Sequence, residues 1–131
     1  MRRHRMICAE VLESVGFTAL PARVQMLYVH MQLFADDDGV VDNPKYPMLS
    51  CGATQKDLDA LVKARFVLRA GRVWVIKHWW TLNKLQRDRH ARTKWTADLE
   101  CIYIRKDRVY TDHETPDGMP FLEGMDQILR L

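Results

Sequence analysis

A helical stripe that leads directly into a β-hairpin limits the fold of this chain more than any other feature. Thr54 is suited to cap a helix, with Asp57 three residues later as its partner. The apolar stripe of that helix consists of Leu58, Leu61, Val62 and Phe66. A tight turn at Ala70-Gly71 then separates two short apolar runs, which predicts a hairpin. Many small α+β domains share this order of elements.

Two helices and a short strand are predicted before this unit. Residues 21–34 begin with a proline and place apolar side chains on one helical face. Asp36-Asp37-Asp38-Gly39 is interpreted as a solvated turn rather than a metal site, because it lacks the alternate-residue spacing of a calcium loop. Val40-Val41 then predicts a strand, and residues 43–52 predict a short helix. The order of helix, strand, helix, helix and hairpin is that of the winged helix, whose third helix enters the major groove.

Residues 75–94 join an apolar strand to a basic run. The strand is predicted to continue through Trp79 and Trp80, which would leave one ring in the core and the other half-exposed. The basic side chains that follow, with only Asp88 among them as an acid, are Lys84, Arg87, Arg89, Arg92 and Lys94. Charges grouped in this way favour contact with phosphates, and a solvated loop is the alternative.

Three further groups of side chains are candidate contacts to DNA. Arg2, Arg3 and Arg5 form a basic N-terminal arm, and Arg69 and Arg72 flank the hairpin turn. On the third helix, Gln55 is able to read a base edge, and Lys56 and Lys63 are able to reach a groove. Base readout by this helix and a purely electrostatic role for it both remain open.

Composition and charge indicate a globular chain with a polyanionic partner. Of its 131 residues 47% are hydrophobic, and the net charge is +3. Residues 1–111 carry 19 basic and 12 acidic side chains, or +7, whereas residues 112–131 carry one and five, or −4. We therefore predict a winged-helix DNA-binding domain over 1–111 and an acidic C-terminal tail over 112–131. A second hairpin is expected within residues 102–110, and the helical end of the tail is expected to dock on the body or on a partner.

Several classes of protein are disfavoured by the sequence. The cysteines Cys8, Cys51 and Cys101 are odd in number and form no CxxC pair, which indicates reduced thiols. The basic N-terminus lacks the apolar stretch of a signal peptide, so a cytoplasmic location without membrane contact is expected. His78 and His90 have no ligand-spaced partners, and the common catalytic motifs are missing. We expect no enzymatic activity, no cofactor and no metal.

The chain resembles the N-terminal domain of phage replisome-organiser proteins, the DnaD-like replication proteins of phages and prophages of Gram-positive bacteria. The segments that carry the resemblance are RRHRM at 2–6, LYVHMQLFADDDGVVDNPK at 27–45, DLDALVKARFV at 57–67, VIKHW at 75–79 and RDR at 87–89. Thr93, Glu100 and the Val109-Tyr110-Thr111 ending complete it. The resemblance implies a winged-helix module that binds DNA during replication initiation, at an origin or in recruiting the helicase-loading machinery.

The expected function is therefore binding of double-stranded DNA by a phage- or prophage-type protein. One alternative is a protein-interaction module or inhibitor of host replication or defence proteins, which the acidic, amphipathic tail favours. Another is a transcriptional repressor that acts as a homodimer on a palindrome.

Overall fold

The computed structural model describes residue 5, residues 7–82 and residues 91–130. The chain is built from short helices and strands around one longer helix. In order, they are α1 (Ala9–Leu12), α2 (Val15–Thr18), α3 (Ala22–Phe34), β1 (Val40–Val41), α4 (Lys45–Cys51), α5 (Gln55–Lys63), β2 (Val67–Ala70), β3 (Val73–Ile76), α6 (Trp79–Leu82), a 3-10 turn (Asp98–Cys101), β4 (Tyr103–Ile104), β5 (Tyr110–Thr111), β6 (Met119–Pro120) and α7 (Phe121–Arg130). Helices thus combine with two small antiparallel sheets, and the predicted α+β class is confirmed.

The long helix α3 is the centre of the helical part. It buries the face predicted from its spacing, with Leu27, Tyr28 and Met31 almost inaccessible to solvent. Helices α4 and α5 both pack against α3. Phe17 and Phe66 extend this contact, because their rings meet each other and Tyr28 edge to face at centroid distances of 5.2–6.1 Å.

The first sheet has the strand order β1-β3-β2, with both pairs antiparallel. Val40, Val75 and Leu68 lie side by side across it and are buried. On the opposite face the neighbours Val67 and Ile76 are buried as well, so this end of the sheet is covered on both sides, whereas the pair Arg69 and Trp74 further along that face is not buried. The predicted hairpin is confirmed, although its turn lies at Gly71 and Arg72, since Ala70 still pairs with Val73.

The start of α5 follows the capping pattern read from the sequence. The Asp57 carboxylate accepts hydrogen bonds from the Thr54 N–H (2.7 Å) and from the Thr54 hydroxyl (3.2 Å). It also forms an ion pair with Arg23 of α3, at 2.8 Å. The Thr54 N–H, followed by the Arg23 guanidinium, lowers the pKa of Asp57. One carboxylate therefore both begins α5 and ties it to α3.

Replacing Asp57 with alanine is expected to lower the free energy of unfolding by about 1–2 kcal/mol at neutral pH. Because the pKa of Asp57 is lower in the folded state, its stabilisation is present above the ordinary pKa and lost as the pH falls through the folded value. Urea unfolding at neutral and at strongly acidic pH measures both effects. Asp59→Ala, an exposed change on the same helix, is the control and is expected to change stability by less than about 0.5 kcal/mol. Equal effects of the two changes at neutral pH would contradict this role for Asp57.

The predicted strand through the tryptophan pair is wrong. β3 ends at Ile76, and Trp79 and Trp80 belong to the short helix α6. Both rings are buried, at 0% and 4% exposure. The Trp79 indole donates to the Asp37 carbonyl (2.9 Å), and the Trp80 indole donates to the Tyr110 hydroxyl (2.6 Å). In this helical turn the two adjacent rings reach two different buried acceptors, and both are taken into the core rather than one being left half-exposed.

Strands β4, β5 and β6 form the second sheet, in the order β5-β4-β6. The hairpin of β4 and β5 was predicted, whereas β6 was not. The segment after Thr111 supplies β6 and then α7, whose Phe121 and Met125 are buried in the same hydrophobic core as both sheets. The expectation was that this segment docks on the body or on a partner. In the structure it docks on the body. Within the described part of the chain, no helix has the length and apolar character that crossing a membrane requires.

Candidate nucleic-acid interface

The first hairpin presents two arginines at its tip. Gly71 adopts a φ of +55° there, which glycine tolerates better than other residues. The Arg69 guanidinium lies 4.2 Å from the centroid of the Trp74 ring on the neighbouring strand, and its Nε donates to the Gly71 carbonyl at 3.0 Å. Stacking on an indole fixes the plane of a guanidinium and leaves its edge available to a ligand.

Two basic side chains, Arg72 and Lys94, lie close to the Trp95 ring at this tip. The guanidinium of Arg72 lies 5.2 Å from the centroid of the Trp95 ring, and the Lys94 ammonium lies 5.5 Å from it. Both of these contacts are within the range of cation–π attraction. The hairpin and the end of the basic run therefore meet on one surface. We refer to Arg69, Arg72, Trp74, Lys94 and Trp95 as the hairpin-tip cluster.

Asp98 holds the two parts of the hairpin-tip cluster together. Its carboxylate accepts the Arg72 backbone N–H at 3.1 Å and pairs with the Arg72 guanidinium, also at 3.1 Å. The Arg72 guanidinium lowers the pKa of Asp98, and Asp98 in turn raises the pKa of Arg72. Three cations (Arg69, Arg72 and Lys94) against one carboxylate leave the cluster with a local charge of +2.

The acidic turn, residues 36–39, anchors the segment that leads to the hairpin-tip cluster. Asp38 accepts the Thr93 N–H at 2.7 Å, and Asp37 accepts the Ala91 N–H at 2.9 Å. The interpretation of this turn as solvated is wrong, because the Asp38 residue is 0% exposed. Backbone N–H groups compensate these carboxylates for the loss of water. Burial also raises the pKa of Asp36, which accepts the N–H groups of Asp38 (3.0 Å) and Val40 (2.9 Å).

The prediction that Arg5 belongs to a flexible basic arm is wrong. Its side chain is only 2% exposed and pairs with Asp37 at 3.5 Å. It also donates to the Ala35 carbonyl at 2.8 Å and lies 5.0 Å from the centroid of the Trp79 ring. Arg5 thus stabilises the acidic turn from the inside. Arg2 and Arg3, the remainder of the predicted arm, lie outside the described residues.

The basic run is only partly within the described residues. Lys84, Arg87 and Arg89 lie outside them. Arg92 is 38% exposed and pairs with Asp126 of α7 at 2.8 Å, so an acid of the C-terminal segment contacts a predicted DNA-binding arginine. Lys94 joins the hairpin-tip cluster.

The predicted contacts on α5 form a separate, exposed group on that helix. Gln55, Lys56 and Lys63 are all exposed. The Gln55 side-chain amide donates to the Asp59 carboxylate at 2.9 Å, and a base edge would have to compete with that hydrogen bond. Asp57, by contrast, faces inward as the helix cap.

Sequence reasoning missed three residues of this surface, Trp74, Trp95 and Asp98. Trp95 could have been found, since an aromatic residue directly after the last lysine of a basic run is typical of nucleic-acid sites. Asp98 gives no such signal, because its role depends on the hairpin lying next to the 3-10 turn.

Models of known protein families, curated proteins and solved structures were all compared with the chain, and none of them matches it.

Proposed function

We propose that this protein is a winged-helix protein that binds double-stranded DNA and acts in phage-type replication initiation. The observation that carries the proposal is the hairpin-tip cluster, where Arg69, Arg72 and Lys94 surround two tryptophan rings with a local charge of +2. The succession of α3, β1, α4, α5 and the β2–β3 hairpin, with its β1-β3-β2 sheet, supports the winged-helix assignment.

In this proposal the hairpin-tip cluster binds the sugar–phosphate backbone. Arginine presents a planar fork that matches phosphate oxygens, and the Trp74 ring beside Arg69 holds that fork in one plane. A side chain that is already ordered loses less entropy when a ligand binds. Phosphate contacts of this kind give affinity and position without reading sequence.

Sequence readout is assigned to α5. Gln55, Lys56 and Lys63 lie on its exposed face, while Leu58 and Leu61 attach its other face to the core. The Asp57 contact to Arg23 fixes the helix against α3. A helix held in this way is able to enter a major groove as one rigid unit.

Fluorescence anisotropy of a labelled 20-base-pair duplex of random sequence, measured over a series of salt concentrations, tests the proposal. If at least three cations displace counterions, the logarithm of the association constant should fall against the logarithm of the salt concentration with a slope of about −3 or steeper. No binding at the lowest salt concentration would refute the proposal.

Interaction with another protein is the second candidate function. Tyr46 and Leu49 are one helical turn apart on α4, and they are 60% and 77% exposed. Exposed apolar side chains at this spacing favour contact with a partner protein or with a second copy of the chain. Sedimentation with and without duplex separates the homodimeric repressor from a protein that binds DNA as a monomer.

A further inference from the structure

A cavity of about 650 Å³ lies between the end of α3, the acidic turn and residues 91–95 at the end of the basic run. This volume is within the range of small-molecule sites in proteins. Phe34 and Trp95 supply aromatic surface to the cavity, and Arg92, Lys94 and Asp42 supply exposed charges to it. An aromatic lining with charges of both signs favours a planar ligand that carries an anionic group.

Packing fixes the position of the aromatic wall. The Phe34 ring stacks on Tyr46, with 6.4 Å between centroids and 14° between the ring planes. Trp95 packs on the hydrophobic core and lies near the cations of the hairpin-tip cluster. Both rings are therefore held by packing before a ligand binds, and a preformed site binds at lower entropic cost.

The charges of the cavity are arranged in two groups. Lys94, which lies 5.5 Å from the centroid of the Trp95 ring, and Arg92, whose guanidinium also pairs with Asp126 at 2.8 Å, supply the positive group. Asp36 and Asp37 also line the cavity, but backbone N–H groups of Val40 and Ala91 already donate to their carboxylates. Asp42 is the exposed carboxylate of the lining. A ligand with a phosphate at one end and an amino group on its ring complements both groups.

We propose that this cavity binds one nucleotide whose base is unpaired. The base lies against Phe34 and Trp95, its phosphate pairs with Lys94 and Arg92, and its exocyclic amino group donates to Asp42. Lys94 also belongs to the hairpin-tip cluster, so an unpaired nucleotide at the edge of a bound duplex is within reach of the cavity. Binding of a nucleotide that belongs to a bound duplex rests on the proposed function. A free nucleotide would present the same base and phosphate to the cavity without any duplex.

Tryptophan fluorescence and anisotropy with three probes test this site: an oligodeoxycytidine of eight nucleotides, free deoxycytidine monophosphate and the 20-base-pair duplex. The oligonucleotide is expected to bind and to quench the fluorescence of Trp95. The free nucleotide is expected to quench it only at higher concentration. Trp79 and Trp80 are buried away from the probe, whereas Trp74 is half-exposed in the hairpin-tip cluster, so the quenching is measured in a Trp74→Phe background. In that background Trp95→Phe should remove the quenching.

Phe34→Leu separates this cavity from the hairpin-tip cluster, since it removes a ring from the cavity and leaves Arg69, Arg72 and Trp95 in place. It is expected to weaken binding of the oligonucleotide about tenfold, as is typical of losing one stacked ring, and to change duplex affinity less than about twofold. Lys94→Ala, a change at an exposed side chain, should also weaken oligonucleotide binding. Unchanged oligonucleotide affinity in both variants would overturn the site.

The role of Asp42 is tested by base preference. Cytosine has an exocyclic amino group and thymine has none, so the wild-type protein should prefer oligodeoxycytidine to oligodeoxythymidine, and Asp42→Ala should lose that preference. Equal affinity of the wild-type protein for both would overturn this role. Duplex binding without quenching by any single strand would refute the cavity proposal alone. Quenching without duplex binding would refute the proposed function alone.

Discussion

Replacing Gly39 with alanine is expected to lower the free energy of unfolding by about 3 kcal/mol. Gly39 has a φ of +81°, and a Cβ added to it would lie 2.5–2.7 Å from the Cγ, Cβ and Cδ2 atoms of Trp79. Those atoms lie close to the backbone of a fully buried residue and have little room to move. The cost therefore combines backbone strain with overpacking. Urea unfolding followed by far-UV circular dichroism measures it.

Gly52→Ala is the matched control for this change. Gly52 ends α4 with a φ of +71°, and an added Cβ would meet no atom within 4 Å. The Gly52→Ala change therefore introduces backbone strain without a steric clash, and we expect it to lower the free energy of unfolding by about 1 kcal/mol. Equal losses in the two variants would contradict the close packing of Trp79 on the acidic turn. The comparison bears on function, because that turn also holds the segment leading to Lys94.

The double change Arg69→Gln and Arg72→Gln is expected to reduce affinity for a random duplex about 100-fold at low salt. Each arginine would lose a charge-assisted contact to phosphate, and two such contacts contribute about 3 kcal/mol. The magnitude of the salt slope should also fall by about two, since two fewer counterions are released. The loss should be the same for duplexes of different sequence, because phosphate contacts do not read bases.

A second pair of basic residues supplies the control for net charge. Arg105 and Lys106 lie in the turn of the other hairpin, between β4 and β5. Arg105→Gln with Lys106→Gln removes the same two charges from a different place. Less than a fivefold loss is expected for this pair, since only the general field of the protein changes. Similar losses in both double variants would mean that net charge rather than the hairpin-tip cluster governs binding.

Local signals predicted the elements that depend on residues close in sequence. The spacing of Leu27 and Met31 predicted α3, and Thr54 with Asp57 marked the start of α5, because a helix and its cap are completed within a few residues. The first hairpin followed from its turn and its two apolar runs in the same way. Of the candidate DNA contacts named from the sequence, Arg69, Arg72 and Lys94 meet at the hairpin tip, and their contact with DNA stays a prediction.

The features that sequence reasoning missed depend on contacts between distant residues. Arg5 and Asp38 looked like solvated charges, yet Arg5 pairs with Asp37 and Asp38 accepts the N–H of Thr93. A charged side chain is buried where a partner from elsewhere in the chain replaces its contacts with water. The local sequence does not indicate that partner. The Trp79–Trp80 pair was assigned to a strand for the same reason, because its acceptors belong to other elements.

The four tryptophan indole N–H signals in a ¹H–¹⁵N spectrum, followed while a random duplex is added, test the central claim most directly. Trp74 and Trp95 lie in the hairpin-tip cluster, whereas the indoles of Trp79 and Trp80 are bonded to Asp37 and Tyr110 in the core. If the cluster binds DNA, the signals of Trp74 and Trp95 shift and those of Trp79 and Trp80 stay in place. Shifts confined to the buried pair, or no shift at saturating duplex, would contradict the account.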